Sequence, residues 1–183
     1  MIKIEKHIEK QVLQDYFFVE GIIDINSKYF INKIKEGFKK ENNQSYKTNV
    51  KDKMTSWNYF NEDEEFLKIL ENLIKYVDNH ISFPSYTIQD SWGYCVSSGN
   101  HTIEHNHIPT LWSGVIYLNK HNQTLDFNQI YTRVKPEKGK FALFSSFLKH
   151  GCLPHHDKET KWGISFNLAP KPKSYWLLQK IKL

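Results

Sequence analysis

The sequence predicts an α+β chain whose β-rich part is a sandwich or jelly roll. Two segments in the first eighty residues repeat apolar side chains at helical spacing. From about residue 83, short β-branched and aromatic runs alternate with Gly, Pro, Asn or Lys-rich turns at near-regular spacing. The strands follow the helices rather than alternating with them, which favours separate α and β layers. The 183 residues fit one domain of roughly 100–200 residues, with a helix-rich part over about 1–82 and a β core over about 83–170.

Residues 11–24, QVLQDYFFVEGIID, read as a strand with a Gly inside it. Ser27 is placed to cap a helix over 28–40, where Tyr29, Phe30, Ile34 and Phe38 share a face. The polar stretch 41–53 reads as a loop. For the second helix Asn61 is the expected N-cap. Glu62, Asp63, Glu64 and Glu65 fill its first turn, and Phe66, Leu70, Leu73, Ile74 and Val77 make its apolar face. The expected strands then lie in 85–97, 110–119, 124–130, 131–135, 139–146 and 161–169, and 174–183 reads as a short helix or terminal strand. Trp57, Trp92 and Trp112 are expected mostly in the core, with one near the mouth able to stack on a ring.

Composition excludes several classes. With 39% hydrophobic and 25% charged residues, 8 Gly and 6 Pro, the chain is neither disordered nor fibrous. No uninterrupted apolar stretch approaches the ~18 residues of a membrane span, and MIKIEKHIEK does not read as a signal peptide. Two cysteines, Cys95 and Cys152, make no disulfide framework, so a reducing cytoplasm is the expected setting, a host's cytoplasm if the chain is viral. The net charge of +5 comes from 24 Lys and a single Arg, Arg133, against 20 acids. Alongside 15 Asn and 18 Ile, this usage reflects an AT-rich coding sequence, so nucleic acid is only weakly supported as a partner.

The chemistry concentrates in histidine. Of nine His, seven fall between residues 101 and 156: His101, His105, His107, His121, His150, His155 and His156. In a strand, side chains i and i+2 share a face, so the H-N-H run aims His105 and His107 at one point. His150, at the end of GKFALFSSFLKH, is placed to supply a third imidazole. H-x-H alone more often marks a polar surface than a site. Gly99 before it, the apolar strand after it and the apolar strand running into His150 favour a site. Alternation points Glu104 away from His105, and Asp126 ranks below His107 as a third ligand. His101 faces substrate or solvent, and His155 and His156 read as a solvated loop. Cys152 lacks the C-x-x-C partner of a structural zinc site.

GNHTIEHNHIPTLWSGVIYL, KPEKGKFALFSSFLKHGCLP and KWGISFNL occur in that order. Together they resemble the phage and bacterial branch of the iron(II)- and 2-oxoglutarate-dependent oxygenases, over roughly residues 88–170. YLN at 117–119 is similar to prolyl-4-hydroxylase-like relatives. The resemblance implies a double-stranded β-helix (jelly roll) with N-terminal supporting helices and one Fe(II) at its mouth. His105 and His150 would be ligands, with His107 where relatives carry Asp or Glu. It implies 2-oxoglutarate and O2 as cosubstrates, with Lys161 anchoring the far carboxylate where relatives carry Arg and Gly163 where a Ser often follows. Tyr94, Ser113 and Tyr117 could give hydroxyls to the cosubstrate, and Asn167 could fix the pocket. Arg133 lies off the family position, on the surface.

The activity so implied is an Fe(II)/2-oxoglutarate dioxygenase, a hydroxylase whose target (peptide, nucleobase, amino acid or small metabolite) stays open. Two other readings stand beside it. One is a three-His, cupin-like iron dioxygenase that does not use 2-oxoglutarate. The other is a non-catalytic viral jelly-roll binding module.

Overall fold

In a computed structural model of the chain, the described residues are 3–10, 15–40, 48–79 and 85–171. The segment 174–183 lies outside them. The elements run β1 (Lys3–Lys10), β2 (Tyr16–Ile22), α1 (Ser27–Lys40), α2 (Glu64–Asp78), β3 (Tyr86–Val96), β4 (Thr102–His105), β5 (Trp112–Tyr117) and β6 (Leu125–Phe127). After a single 3-10 turn at Asn128–Ile130 come β7 (Thr132–Val134), β8 (Lys140–Ser145), β9 (His150–Cys152) and β10 (Lys161–Pro170).

The strands form a six-stranded sheet in the order β1-β2-β8-β5-β10-β3 and a four-stranded sheet in the order β4-β9-β6-β7. Every pairing is antiparallel. Non-consecutive neighbours and two facing sheets make a jelly roll with helices on one side, the predicted fold class. No helix among the described residues is long and apolar enough to cross a membrane.

Alternation along the large sheet gives it two working faces. The outer face carries Ile116, Phe141, Leu143, Ile164, Phe166 and Leu168, and the helices cover it with Phe30, Ile34, Phe66, Leu70, Leu73, Ile74 and Val77. The inner face carries Phe18, Trp92, Tyr94, Val115, Tyr117, Ala142 and Phe144, packed against Leu125, Phe127, Val134 and Cys152 of the small sheet. The helical stripes read from the sequence are the stripes that bury.

The structure corrects the helix caps. Asp63, not Asn61, is the N-cap of α2, accepting the Phe66 backbone N–H at 3.0 Å. Its carboxylate also accepts from the Tyr29 hydroxyl at 2.9 Å and pairs with Lys33, so this cap also fastens α1 to α2. Asn61 instead accepts the Ser91 hydroxyl at 2.6 Å, on β3. At α1, Asn26 takes the Tyr29 N–H at 3.2 Å, and Ser27 is the first helical residue.

Other differences concern strands. The described part of the predicted 41–53 loop lies along two of them. Lys51 N–H donates to His101 and Asn49 C=O accepts from Ile103, beside β4, while Lys53 C=O accepts from Cys95 of β3. Within the described part of the predicted 11–24 strand (residues 11–14 lie outside the described residues), β2 spans Tyr16–Ile22, and β1 before it was not foreseen. Its sequence, KIEKHIEK, is dense in charge, as suits a strand at the edge of a sheet. The helix-rich part thus also supplies two strands of the large sheet.

Gly93 is where α1 meets β3. A Cβ there would stand 2.2 Å from Ile34 Cγ1, so only glycine lets the helix seat on the strand that carries Trp92 and Tyr94 inward. Gly93→Ala should therefore cost about 1–3 kcal/mol through overpacking, read as a lower urea midpoint with an unchanged m-value.

Candidate functional site

Three imidazoles meet at one end of the space between the sheets. β4 pairs with β9 so that His105 stands opposite His150. Their ring centroids are 4.6 Å apart, and the His107 ring lies 4.8 Å from His105 and 5.1 Å from His150. One ligand atom from each of the three lies within 4.8 Å of the others.

The convergence foreseen from H-x-H is present, but strand alternation does not produce it. β4 ends at His105, and His107 sits in the turn beyond. Backbone bonds hold it there. Its N–H donates to Ser146 C=O at 2.8 Å, and its own C=O accepts from Thr110 N–H at 2.9 Å and Thr110 Oγ1 at 2.7 Å.

Hydrogen bonding fixes the tautomer of two rings. His105 Nδ1 lies 2.7 Å from Ile103 C=O, and His150 Nδ1 lies 2.9 Å from Leu148 C=O. A carbonyl oxygen can only accept, so each Nδ1 carries the proton and each neutral ring has a bare lone pair at Nε2. Burial holds all three rings in the neutral form. It pushes His107 down to about 3, His105 down, and His150 well below the ordinary range, with the neighbouring rings adding repulsion at His107 and His150. Three neutral imidazoles, two of them oriented by backbone carbonyls, suit a borderline divalent transition metal.

The rings open onto a cavity whose wall also includes Trp92, Tyr94, Tyr117, Cys152, Lys161 and Ser165. Lys161, at the start of β10, is only 1% exposed. Its Nζ donates to Cys152 Sγ at 3.3 Å, and among the described residues it has no carboxylate within ion-pair distance. Burial lowers its pKa, the opposing contributions of Cys152 and Asp126 being smaller. Tyr94 and Tyr117 are buried against each other with their hydroxyls bonded, Tyr117 donating, and burial raises both phenols well above their usual range. Gly163 makes room for Tyr94: a Cβ there would lie 2.5 Å from the Tyr94 hydroxyl.

Ser113 and Asn167 fall outside the cavity wall. They are register partners on β5 and β10, and Ser113 Oγ donates to Asn167 Oδ1 at 2.6 Å. Asn167 Nδ2 in turn donates to Asp90 Oδ1 at 2.6 Å, so this row continues the inner face beyond Trp92 and Ser165. Asp126 stays apart from the His cluster, held by Thr124 Oγ1 at 2.6 Å and Arg133 Nε at 3.5 Å. Arg133 is exposed, as expected. Glu104 points outward and accepts from Asn128 at 2.9 Å. Trp92 and Trp112 are buried, whereas Trp57 is 42% exposed with its ring 4.7 Å from that of Trp92.

His156 is exposed, but His155 is buried rather than solvated. His155, His121 and Asp157 form a second group of potential donors. There His121 Nδ1 accepts from Gln123 N–H at 3.0 Å while Nε2 donates to Glu159 C=O at 3.0 Å, so neither nitrogen is bare. Cys152 is among the wall residues that sequence reasoning left without a role; its signal was alternation, two residues after His150, just as Trp92, which turns out to line the wall, stands two before Tyr94.

The buried neutral rings fix a pH dependence. An unfolded His titrates near 6.5, so as pH falls below that value the unfolded chain takes up protons that the folded site refuses. Stability conferred by the neutral rings is complete above about 6.5 and is lost as pH falls toward about 3. The urea midpoint of metal-free protein should drop between pH 7.5 and 5.5, and His107→Asn should flatten that slope.

No family model and no curated protein matches the chain. Solved structures do. A viral collagen prolyl hydroxylase from Paramecium bursaria Chlorella virus-1, in complex with 2-oxoglutarate, superposes with a TM-score of 0.64 at 17% identity, over 85% of this chain and 96% of that one. A Pseudomonas putida prolyl-4-hydroxylase gives 0.63 at 14% identity, over 85% and 93%. HygX from Streptomyces hygroscopicus, with nickel and 2-oxoglutarate bound, gives 0.61 at 8% identity, over 85% and 83%. The chain shares the fold of these proteins along most of its length.

Proposed function

We propose that the chain is an Fe(II)- and 2-oxoglutarate-dependent dioxygenase that hydroxylates its substrate. The observation that carries this reading is the cavity itself, with three bare-nitrogen imidazoles at one end and a buried, carboxylate-free lysine in its wall. The residues fit both groups. His105, His107 and His150 would hold the iron, and Lys161 would hold the far carboxylate of 2-oxoglutarate by a charge-assisted bond. Iron with 2-oxoglutarate and O2 supplies the oxidising chemistry, coupling decarboxylation to hydroxylation of a C–H bond.

The protein's own work is binding, orientation and dryness. Ile103 and Leu148 carbonyls keep two Nε2 lone pairs turned to the metal position. The paired Tyr94 and Tyr117 rings wall off water beside Lys161, which strengthens its attraction for a carboxylate. Trp92 and His107, with ring centroids 6.1 Å apart, border the cavity together. The solved structures similar in fold include two prolyl hydroxylases, so a proline-containing peptide is the first substrate to assay.

Anaerobic calorimetry with Mn(II) in place of iron tests the site directly. The wild-type protein should bind one equivalent of metal and then one of 2-oxoglutarate, and His105→Ala with His150→Ala should lose the metal. Lys161→Met should keep the metal and weaken 2-oxoglutarate by about 10- to 100-fold, the worth of a charged hydrogen bond. An unchanged affinity would remove Lys161 from the role. Iron binding without 2-oxoglutarate-dependent succinate formation would sink the proposal. The three-His donor set favours one competitor, a three-His iron dioxygenase whose substrate binds the metal itself, and that reading predicts no heat with 2-oxoglutarate.

A further inference from the structure

We propose that Cys152 and Lys161 are an oxidation site, joined by a covalent cross-link in the presence of peroxide. The two side chains come from β9 and β10 and meet in the cavity wall with 3.3 Å between Nζ and Sγ. Lys161 is 1% and Cys152 6% exposed, and the thiol is the hydrogen-bond partner shown for the amine. A nucleophile held against an oxidisable sulfur, in a cavity that small oxidants can enter, is the geometry a condensation requires.

The chemistry balances in two steps. Cys152–SH reacts with H2O2 to give Cys152–SOH and water, the sulfur losing two electrons to the O–O bond. The lone pair of the Lys161 amine then attacks that sulfur. An S–N bond forms, the S–O bond breaks, and the hydroxyl leaves with an amine proton as water, giving Cys152–S–NH–Lys161. Two equivalents of a small thiol reverse the bridge, releasing thiol and amine and forming one small-molecule disulfide. Burial prepares the amine by favouring its uncharged, nucleophilic form. An arginine in the same place would present no such nucleophile.

The consequence for function rests on the proposed reading of Lys161, although the cross-link itself does not. A bridged Lys161 has no ammonium to offer a carboxylate. Conversely, a bound carboxylate would keep the amine protonated and turned from the sulfur, so 2-oxoglutarate should protect the pair.

The test is intact-mass measurement and peptide mapping of the full chain after peroxide treatment. The expected result is a loss of about 2 Da, a peptide pair joined through residues 152 and 161, and recovery with dithiothreitol. Cys152→Ser and Lys161→Met should each abolish it. Cys95→Ala should keep it, since the Cys95 thiol is pushed up to about 12 by burial and has no part in the bridge. A gain of about 16 or 32 Da on Cys152 with Lys161 free would overturn the proposal, as would an unmodified Cys152. Oxidised protein should bind 2-oxoglutarate at least about tenfold more weakly until reduced. A bridge that forms equally with Mn(II) and 2-oxoglutarate present would support the cross-link and overturn Lys161 as the anchor.

Discussion

A lysine buried in a cavity wall, with no carboxylate partner among the described residues, is the constraint on which the rest of this structure depends. Moving its charged form from water costs several kcal/mol after relaxation. Lys161 has one described partner, the Cys152 thiol, which is a weak acceptor. Asp126 is close enough to be felt electrostatically but is committed to Thr124 and Arg133. Burial thus disfavours the protonated form of Lys161, which an entering carboxylate would restore. A protein that needed Lys161 only for packing would do better with a methionine there.

The metal end of the cavity strengthens the same preference. Three neutral imidazoles bring no negative charge, where a triad with a carboxylate would bring one. A divalent ion, were it held by His105, His107 and His150, would keep its full charge, and a protonated Lys161 would add another in the same low-dielectric space. Both ends then favour a dianion, and the burial of the three rings, which keeps them unprotonated, leaves the lone pairs free near neutral pH.

Much of this was legible in the sequence, for reasons that hold at the level of single residues. Apolar periodicity found both helices because their stripes bury against one sheet. The H-N-H run and the strand leading to His150 found the three rings. The cause assigned to His107 was wrong, because its place is fixed by backbone bonds to Thr110 and Ser146, which a pattern of side chains does not record. Asn61 and Asp63 are both competent caps, and the choice between them was settled by Lys33 and Tyr29 reaching across from α1. The burial of His155 arises from contact with His121, thirty-four positions earlier, at 4.5 Å between rings. Local polarity cannot foresee such a contact.

The two faces of β3 and β10 explain how so few residues serve both stability and site. On β10, Ile164, Phe166 and Leu168 face the helices while Lys161, Gly163 and Ser165 border the opposite side. On β3, Gly93 receives Ile34 from α1 while Trp92 and Tyr94 on either side of it turn toward the histidines. A shift of one residue in the pairing of these strands would exchange core for cavity along their whole length. The register is held on the outer face by helix packing, so the position of Lys161 relative to the imidazoles is set by the hydrophobic layer on the far side of the sheet. The glycines are the points of contact between the two functions: at 93 the helix needs the space, and at 163 the Tyr94 ring does.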